Sequence, residues 1–311
     1  LLIGLIAAAA AFLLCGGGGL VMYFVDPFGL FGAGPSNDML AWAPADSQSI
    51  SFVNVKEART ISEFRDGPGT IGDGTKYGIR SEDVDSVMMA SQGGAGIFLF
   101  VNLDPEVTVF KLISSADRAR IISTVGGREA TAGNKKYYKT NAGGGIYFAS
   151  DRLVVATRTE MTMTSLLQKD EGKVIVSDEL RSLAKKTDGT LTTVATGSAA
   201  ESADFLGFLA ASGDALVAPG GPNFGARTAK ARSTSFSVKV SGNRGTMRLE
   251  STYDSPDSAR RIEEGVRKSI DANRKSNEFE TYDISRSGST VTFVGRGPVK
   301  RGSSPLFPGA K

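Results

Sequence analysis

TSFSVKVSGNRGTMRLESTYDSPDSARRIEEGVRKSIDANR, residues Thr234 to Arg274, is the stretch that decides the fold. It reads as a strand over Thr234 to Val240, a Ser241-Gly242-Asn243 turn and a second strand over Gly245 to Thr252. Ser255 then caps a helix that opens on Pro256 and runs to Arg274, with proline at a position where its missing N–H costs nothing. Strands Phe279 to Ser285 and Thr290 to Gly295 follow around a Ser287-Gly288 turn, so residues 233 to 297 read as a ββαββ module.

The same strand, turn, strand, helix order occurs twice more upstream, at Ile97 to Val125 and at Gly145 to Gln168. The likeness is of pattern, not of letters. Ser114 or Ser115 can cap a helix over Ala116 to Val125 that Gly126 and Gly127 close. Thr159 can cap Glu160 to Gln168. Ser177 can cap Asp178 to Lys186, acidic at its start and basic at its end as the helix dipole favours. Further strands are expected at Ser49 to Val55, Ile97 to Leu103, Val107 to Ile113, Lys136 to Thr140, Gly145 to Ala149, Arg152 to Arg158 and Thr190 to Thr196. Together these predict an α+β fold: antiparallel sheets with helices on one face, built from ββα-type units.

The chain begins with LLIGLIAAAAAFLLCGGGGLVMYFV, Leu1 to Val25, which carries no charge. At about 1.5 Å per residue such a helix spans the roughly 30 Å of a bilayer core, so it reads as a transmembrane helix. A cleaved signal region, a lipoprotein signal ending at Cys15 and a buried core helix are the competing readings; Leu14 stands where a lipoprotein signal carries a small residue. Between Asp26 and Val55 the only charges are Asp26, Asp38 and Asp46, without Lys or Arg, which puts the body outside the cytoplasm, periplasmic or at the cell surface. Residues 26 to 38 read as a juxtamembrane linker, 39 to 214 as an α+β domain, 215 to 232 as a second Gly/Pro/Ala linker and 298 to 311 as a flexible tail.

Composition excludes several chemistries. There is no histidine, which removes the commonest general base and metal ligand, and the single cysteine forbids an internal disulfide. No cofactor or metal is expected. Charge is uneven: Arg227 to Lys311 holds 17 basic and 9 acidic residues, whereas the remainder is net acidic.

Four motifs offer chemistry. Ser182-Leu183-Ala184-Lys185 matches the S-x-x-K of penicillin-binding proteins and class A β-lactamases, which would make the protein an envelope hydrolase or transferase using Ser182 and Lys185. Ser182 falls mid-helix, however, and no K-T-G follows, so a solvated helix is the plain alternative. Gly67 to Lys76 lacks the spacing of a phosphate-cradling loop. Glu82, Asp83 and Asp85 could contact a cation but lack the alternation of a calcium loop. The helix Pro256 to Arg274 sets Ala259, Ile262, Val266 and Ile270 on one face and Arg260, Arg261, Arg267, Lys268, Arg274 and Lys275 around the other, interrupted by Glu264 and Asp271. That side is either a solvated mixed-charge face or an anion-binding face for lipid or an envelope polymer, with nucleic acid not expected.

Two short stretches resemble known proteins. Pro44-Ala45-Asp46 followed by a strand resembles the opening of uncharacterised membrane-anchored bacterial proteins, and Cys15 to Gly19 after an apolar run resembles membrane proteins of planctomycete-type bacteria. The resemblance implies a membrane-anchored protein and brings no activity or site residue with it. The function expected is therefore a single-span, extracytoplasmic binding or scaffolding protein, not an enzyme, whose partners are the membrane through Leu1 to Val25 and an envelope protein or anionic polymer.

Overall fold

The computed structural model describes residues 34–60, 74–92, 105–169, 172–215, 229–241, 244–272 and 279–298. The apolar run Leu1 to Val25, the linker to residue 33, the strand expected at Ile97 to Leu103, the Gly242-Asn243 turn and the tail lie outside them. Among the described residues no helix is long and apolar enough to cross a membrane.

The strands are β1 (Ser49–Asn54), β2 (Val84–Ser91), β3 (Val107–Leu112), β4 (Arg128–Ala132), β5 (Lys135–Lys139), β6 (Gly145–Ser150), β7 (Leu153–Thr157), β8 (Leu191–Thr196), β9 (Ala231–Ser241), β10 (Arg244–Tyr253), β11 (Thr281–Ser287) and β12 (Thr290–Pro298). They form one twelve-stranded sheet, ordered β11-β12-β10-β9-β8-β1-β2-β3-β7-β6-β5-β4. Every described pairing is antiparallel, for example Leu191 against Val238 and Ile50 against Ala90. The helices are α1 (Asn37–Leu40), α2 (Val55–Ala58), α3 (Arg118–Thr124), α4 (Glu160–Gln168), α5 (Asp178–Lys186), α6 (Gly197–Ser202), α7 (Phe205–Ala215) and α8 (Pro256–Ala272).

The caps mostly fall where the sequence puts them. Thr159 accepts from the Thr162 amide, Ser177 from Leu180 and Ser255 from Ser258. The helix before Gly126 is a correction: it starts at Arg118, and Asp117 is its cap, accepting from the Arg120 amide. A carboxylate satisfies an orphan amide there as well as a hydroxyl would. Gly126 then ends it at φ 61°, in the left-handed region.

Helices on one face is the second correction. Alternate residues of the central strands belong to two separate cores: Val53, Val87, Phe110, Val154 and Ala195 to one, Phe52, Met88, Val109, Val155 and Val194 to the other. Successive side chains of a strand point to opposite faces, so both faces of β1, β2, β3, β7 and β8 are buried. α2, α3, α6, α7 and α8 supply residues to the first core, and α1, α4 and α5 to the second. Strands β9, β10, β11 and β12 contribute apolar residues only to the first core; β10, β11 and β12 keep the expected one-sided arrangement, whereas Ser233, Ser235 and Ser237 on the other side of β9 are buried as well. Since β8 and β9 are hydrogen-bonded neighbours, the sheet continues past the linker read at 215 to 232.

Candidate functional site

A half-open recess of about 370 Å³ lies over β9, lined by Ser198, Glu201, Ser202, Asp204, Ala229, Lys230 and Ala231. Its distinctive member is Asp204, a carboxylate only 3% exposed at the start of α7. One oxygen, Oδ1, accepts from the Gly207 amide at 3.1 Å, the Ser251 hydroxyl at 3.1 Å and the Tyr253 hydroxyl at 3.0 Å. The first of these starts the helix; the other two tie it to β10. Ser251 in turn shares a 3.0 Å hydrogen bond with Thr234 on β9, the neighbouring strand. A buried carboxylate is tolerated only with such partners, because losing water without replacement costs several kcal/mol.

At the mouth, Lys230 reaches Glu201 at 3.9 Å. The two serines have local partners: Ser198 donates to Gln48 Oε1 at 2.7 Å, and Ser202 donates to the Ser198 carbonyl at 3.1 Å. The recess therefore offers hydrogen-bonding groups of both signs. It does not pair either serine with a base. No motif singles out Asp204 in the sequence; its only signals are an Asp three residues before Gly207 and the Ser251-x-Tyr253 alternation, which together fit a cap bound to a strand.

The predicted basic face lies on α8 as far as that helix is described. Arg260 meets Asp257 at 3.4 Å and Glu264 at 4.0 Å, one and about one turn away, while Arg261 donates to Ser258 at 3.4 Å. Arg267 meets Glu263 at 3.0 Å and also donates to the Ile284 carbonyl, and Arg286 joins Glu263 from β11 at 3.0 Å. Burial works to raise the Glu263 carboxyl, but the hydrogen bonds from both arginines outweigh it and leave it below the usual range. Lys268 is exposed; Arg274 and Lys275 lie outside the described residues. Ala259, Val266 and Ile270 are buried as expected, on the face opposite.

Ser182 sits in the middle of α5, half-buried, and Lys185 is exposed; the two are not hydrogen-bonded to each other. Asp83 is claimed by arginines: Arg80 binds it at 2.8 Å and 3.0 Å, and Arg120 approaches at 3.5 Å. The Arg80 hydrogen bonds hold its carboxyl below the ordinary aspartate range. Of the glycine-rich loop, residues 67–73 lie outside the described part, and Thr75–Tyr77 form a 3-10 turn with Lys76 over the Tyr77 ring at 5.0 Å.

The fold and recess define an antiparallel α+β protein with a small polar site beside a helix start. No protein-family model and no curated protein matches the chain. Among solved structures it is similar to TP0453, a Treponema protein, in crystal form I (11% identity, TM-score 0.47, covering 85% of this chain and 94% of that one) and in crystal form III (12%, 0.49, 85% and 95%).

Proposed function

We propose that this chain is a membrane-anchored extracytoplasmic protein that works by binding or scaffolding rather than catalysis. The observation that carries the reading is the uncharged run Leu1 to Val25, followed by a flank without Lys or Arg, joined to a folded body. The body supports it through the outer face of β10 to β12 and the end of β9, where Lys239, Arg244 and Arg248 pair with Asp188, Glu280 and Glu250 beside the exposed hydroxyls of Thr281, Ser285 and Ser287 on β11. Such a polar, charge-balanced sheet face suits a protein or polymer partner of mixed charge. The arginines of α8 form a second, anionic-surface reading, which the local carboxylates weaken by neutralising most of them.

The test is partition and topology of the full chain in bacterial membranes. The protein is expected in the carbonate-washed pellet, with its body digested by protease added from outside. An intact protein in the aqueous supernatant would overturn the reading.

A further inference from the structure

Helix α8 lies along β11, the strand that ends the sheet order among the described residues. Three side-chain contacts join the two at matched spacing. Arg286 on β11 meets Glu263 at 3.0 Å, Arg267 donates to the Ile284 carbonyl, and the Tyr282 hydroxyl donates to Asp271 at 3.1 Å. Each step of four residues on the helix answers a step of two on the strand, about 6.0 Å against about 6.6 Å, so helix and strand run antiparallel and in step.

The middle contact differs from the other two because it takes a backbone atom. The Tyr253 amide donates to the Ser289 carbonyl, so odd-numbered residues of β12 turn their amides and carbonyls to β10 and even-numbered ones turn theirs to β11. Thr290, Thr292 and Val294 therefore share the hairpin hydrogen bonds with Ser287, Ser285 and Asp283. That leaves the backbone groups of Tyr282, Ile284 and Arg286 directed to the edge. Arg267 fills the carbonyl at the centre of this row, and Glu263, which binds it at 3.0 Å, holds it there.

Such a row is a template for another strand, and β11 is its own best match. Its residues Thr281, Asp283, Ser285 and Ser287 are exposed along one side. Paired antiparallel with a copy of itself about Ile284, it sets Arg286 across from Tyr282 and Asp283 across from Ser285, with no like charges opposed. In that register each Ile284 carbonyl accepts from the Ile284 amide of the other copy, and this is the acceptor that Arg267 takes. We propose that Arg267, positioned by Glu263, is a guard that keeps the edge of β11 from pairing with the β11 of a second copy of this chain. The guard does not depend on the anchor or on the scaffolding role.

The molar mass of the full chain in detergent is measured by sedimentation equilibrium over a range of protein concentrations. Wild-type mass should be independent of concentration, and the mass of Arg267→Met should double as concentration rises. Arg260→Met, which changes an arginine of the same helix bound to Asp257 and Glu264, should behave as wild type. Hydrogen exchange in associated Arg267→Met should slow at the amides of Tyr282, Ile284 and Arg286. Arg267→Met at the wild-type mass throughout, doubling without slower exchange at those three amides, or a wild type that already pairs through them overturns the proposal. If Arg267→Met does not fold, Glu263→Gln, which loosens the guanidinium without removing it, takes its place, and a mass unchanged there overturns it.

Discussion

The two halves of the sheet are built by different rules. Strand β7 is apolar at both parities, as in Leu153-Val154-Val155-Ala156, and with β1 and β3, which place apolar residues in both cores, it is buried on both faces between helices. Strands β10 and β12 alternate instead: Leu249, Val291 and Phe293 point into the core under α7 and α8, while Thr246, Arg248, Thr292 and Arg296 face outward. A strand with two apolar faces must find two covers, and one with a single apolar face stops at one. The difference teaches that helix number on each side follows from strand parity, not from the order of elements, which is the same strand-strand-helix unit at β6-β7-α4 and at β9-β10-α8.

The sharpest way to break this comparison is a carboxylate placed in each half. Val109→Asp, at a position 0% exposed on β3, should leave a buried unpaired charge, cost roughly 4 kcal/mol or more and prevent folding. Thr246→Asp, outward on β10 between Lys239 and Arg296, should shift stability by less than about 0.5 kcal/mol. Urea midpoints of the two variants decide it, and equal losses would erase the distinction.

The buried carboxylate beside the first core gives the next effect. Asp204→Ala removes a helix cap and takes from the buried Ser251 and Tyr253 hydroxyls the acceptor they share, a loss of about 3 kcal/mol by chemical denaturation. Asp204→Asn, which keeps an acceptor, should lose less.

A smaller loss is expected where α8 crosses α7. A Cβ on Gly265 would stand 2.8 Å from Ala210 Cβ and 3.0 Å from its Cα, so the helices must separate. Gly265→Val should cost about 1–3 kcal/mol, read as a fall in Tm, because backbone rather than a flexible side chain has to give way.

A pH dependence is expected on the other face, where Lys169 is half-buried. Lys169 is depressed to about 8 in the folded protein against about 10.4 unfolded, so between those values the unfolded chain binds more protons. Stability should therefore rise as pH goes from about 8 to 10.4, and below pH 8 the buried ammonium costs its full amount. Lys169→Met should flatten that slope in urea titrations and raise stability at pH 7.

Much of this was legible in the residues. The hairpin and helix of Thr234 to Ala272 follow from a turn, a capping serine and a proline at the helix start, all local signals that tertiary context did not override. Strand β2 is not legible in the sequence, since Val84 to Ser91 mixes Asp and Ser with Met and shows neither clean alternation nor turn residues at its ends. Only the β5 half of the β4-β5 hairpin is legible, because Arg128 to Ala132 is an exposed edge with little apolar content. Sites were harder still. Asp204, Ser251 and Tyr253 are separated by 47 and 49 residues and meet only through the register of β10, and Lys169 meets Ala41 across 128 residues. The basic stripe of α8 was readable as a pattern, but its neutralisation depends partly on Arg286 and Glu263, which β11 brings together.

Amide hydrogen exchange on the folded chain tests the asymmetry most directly. The account predicts that interior amides of β1, β3 and β7 exchange only through global unfolding, while those of β10 and β12 open at a clearly lower free energy because one face meets water. Equal protection across the two halves, or faster exchange in β1, β3 and β7, would contradict it.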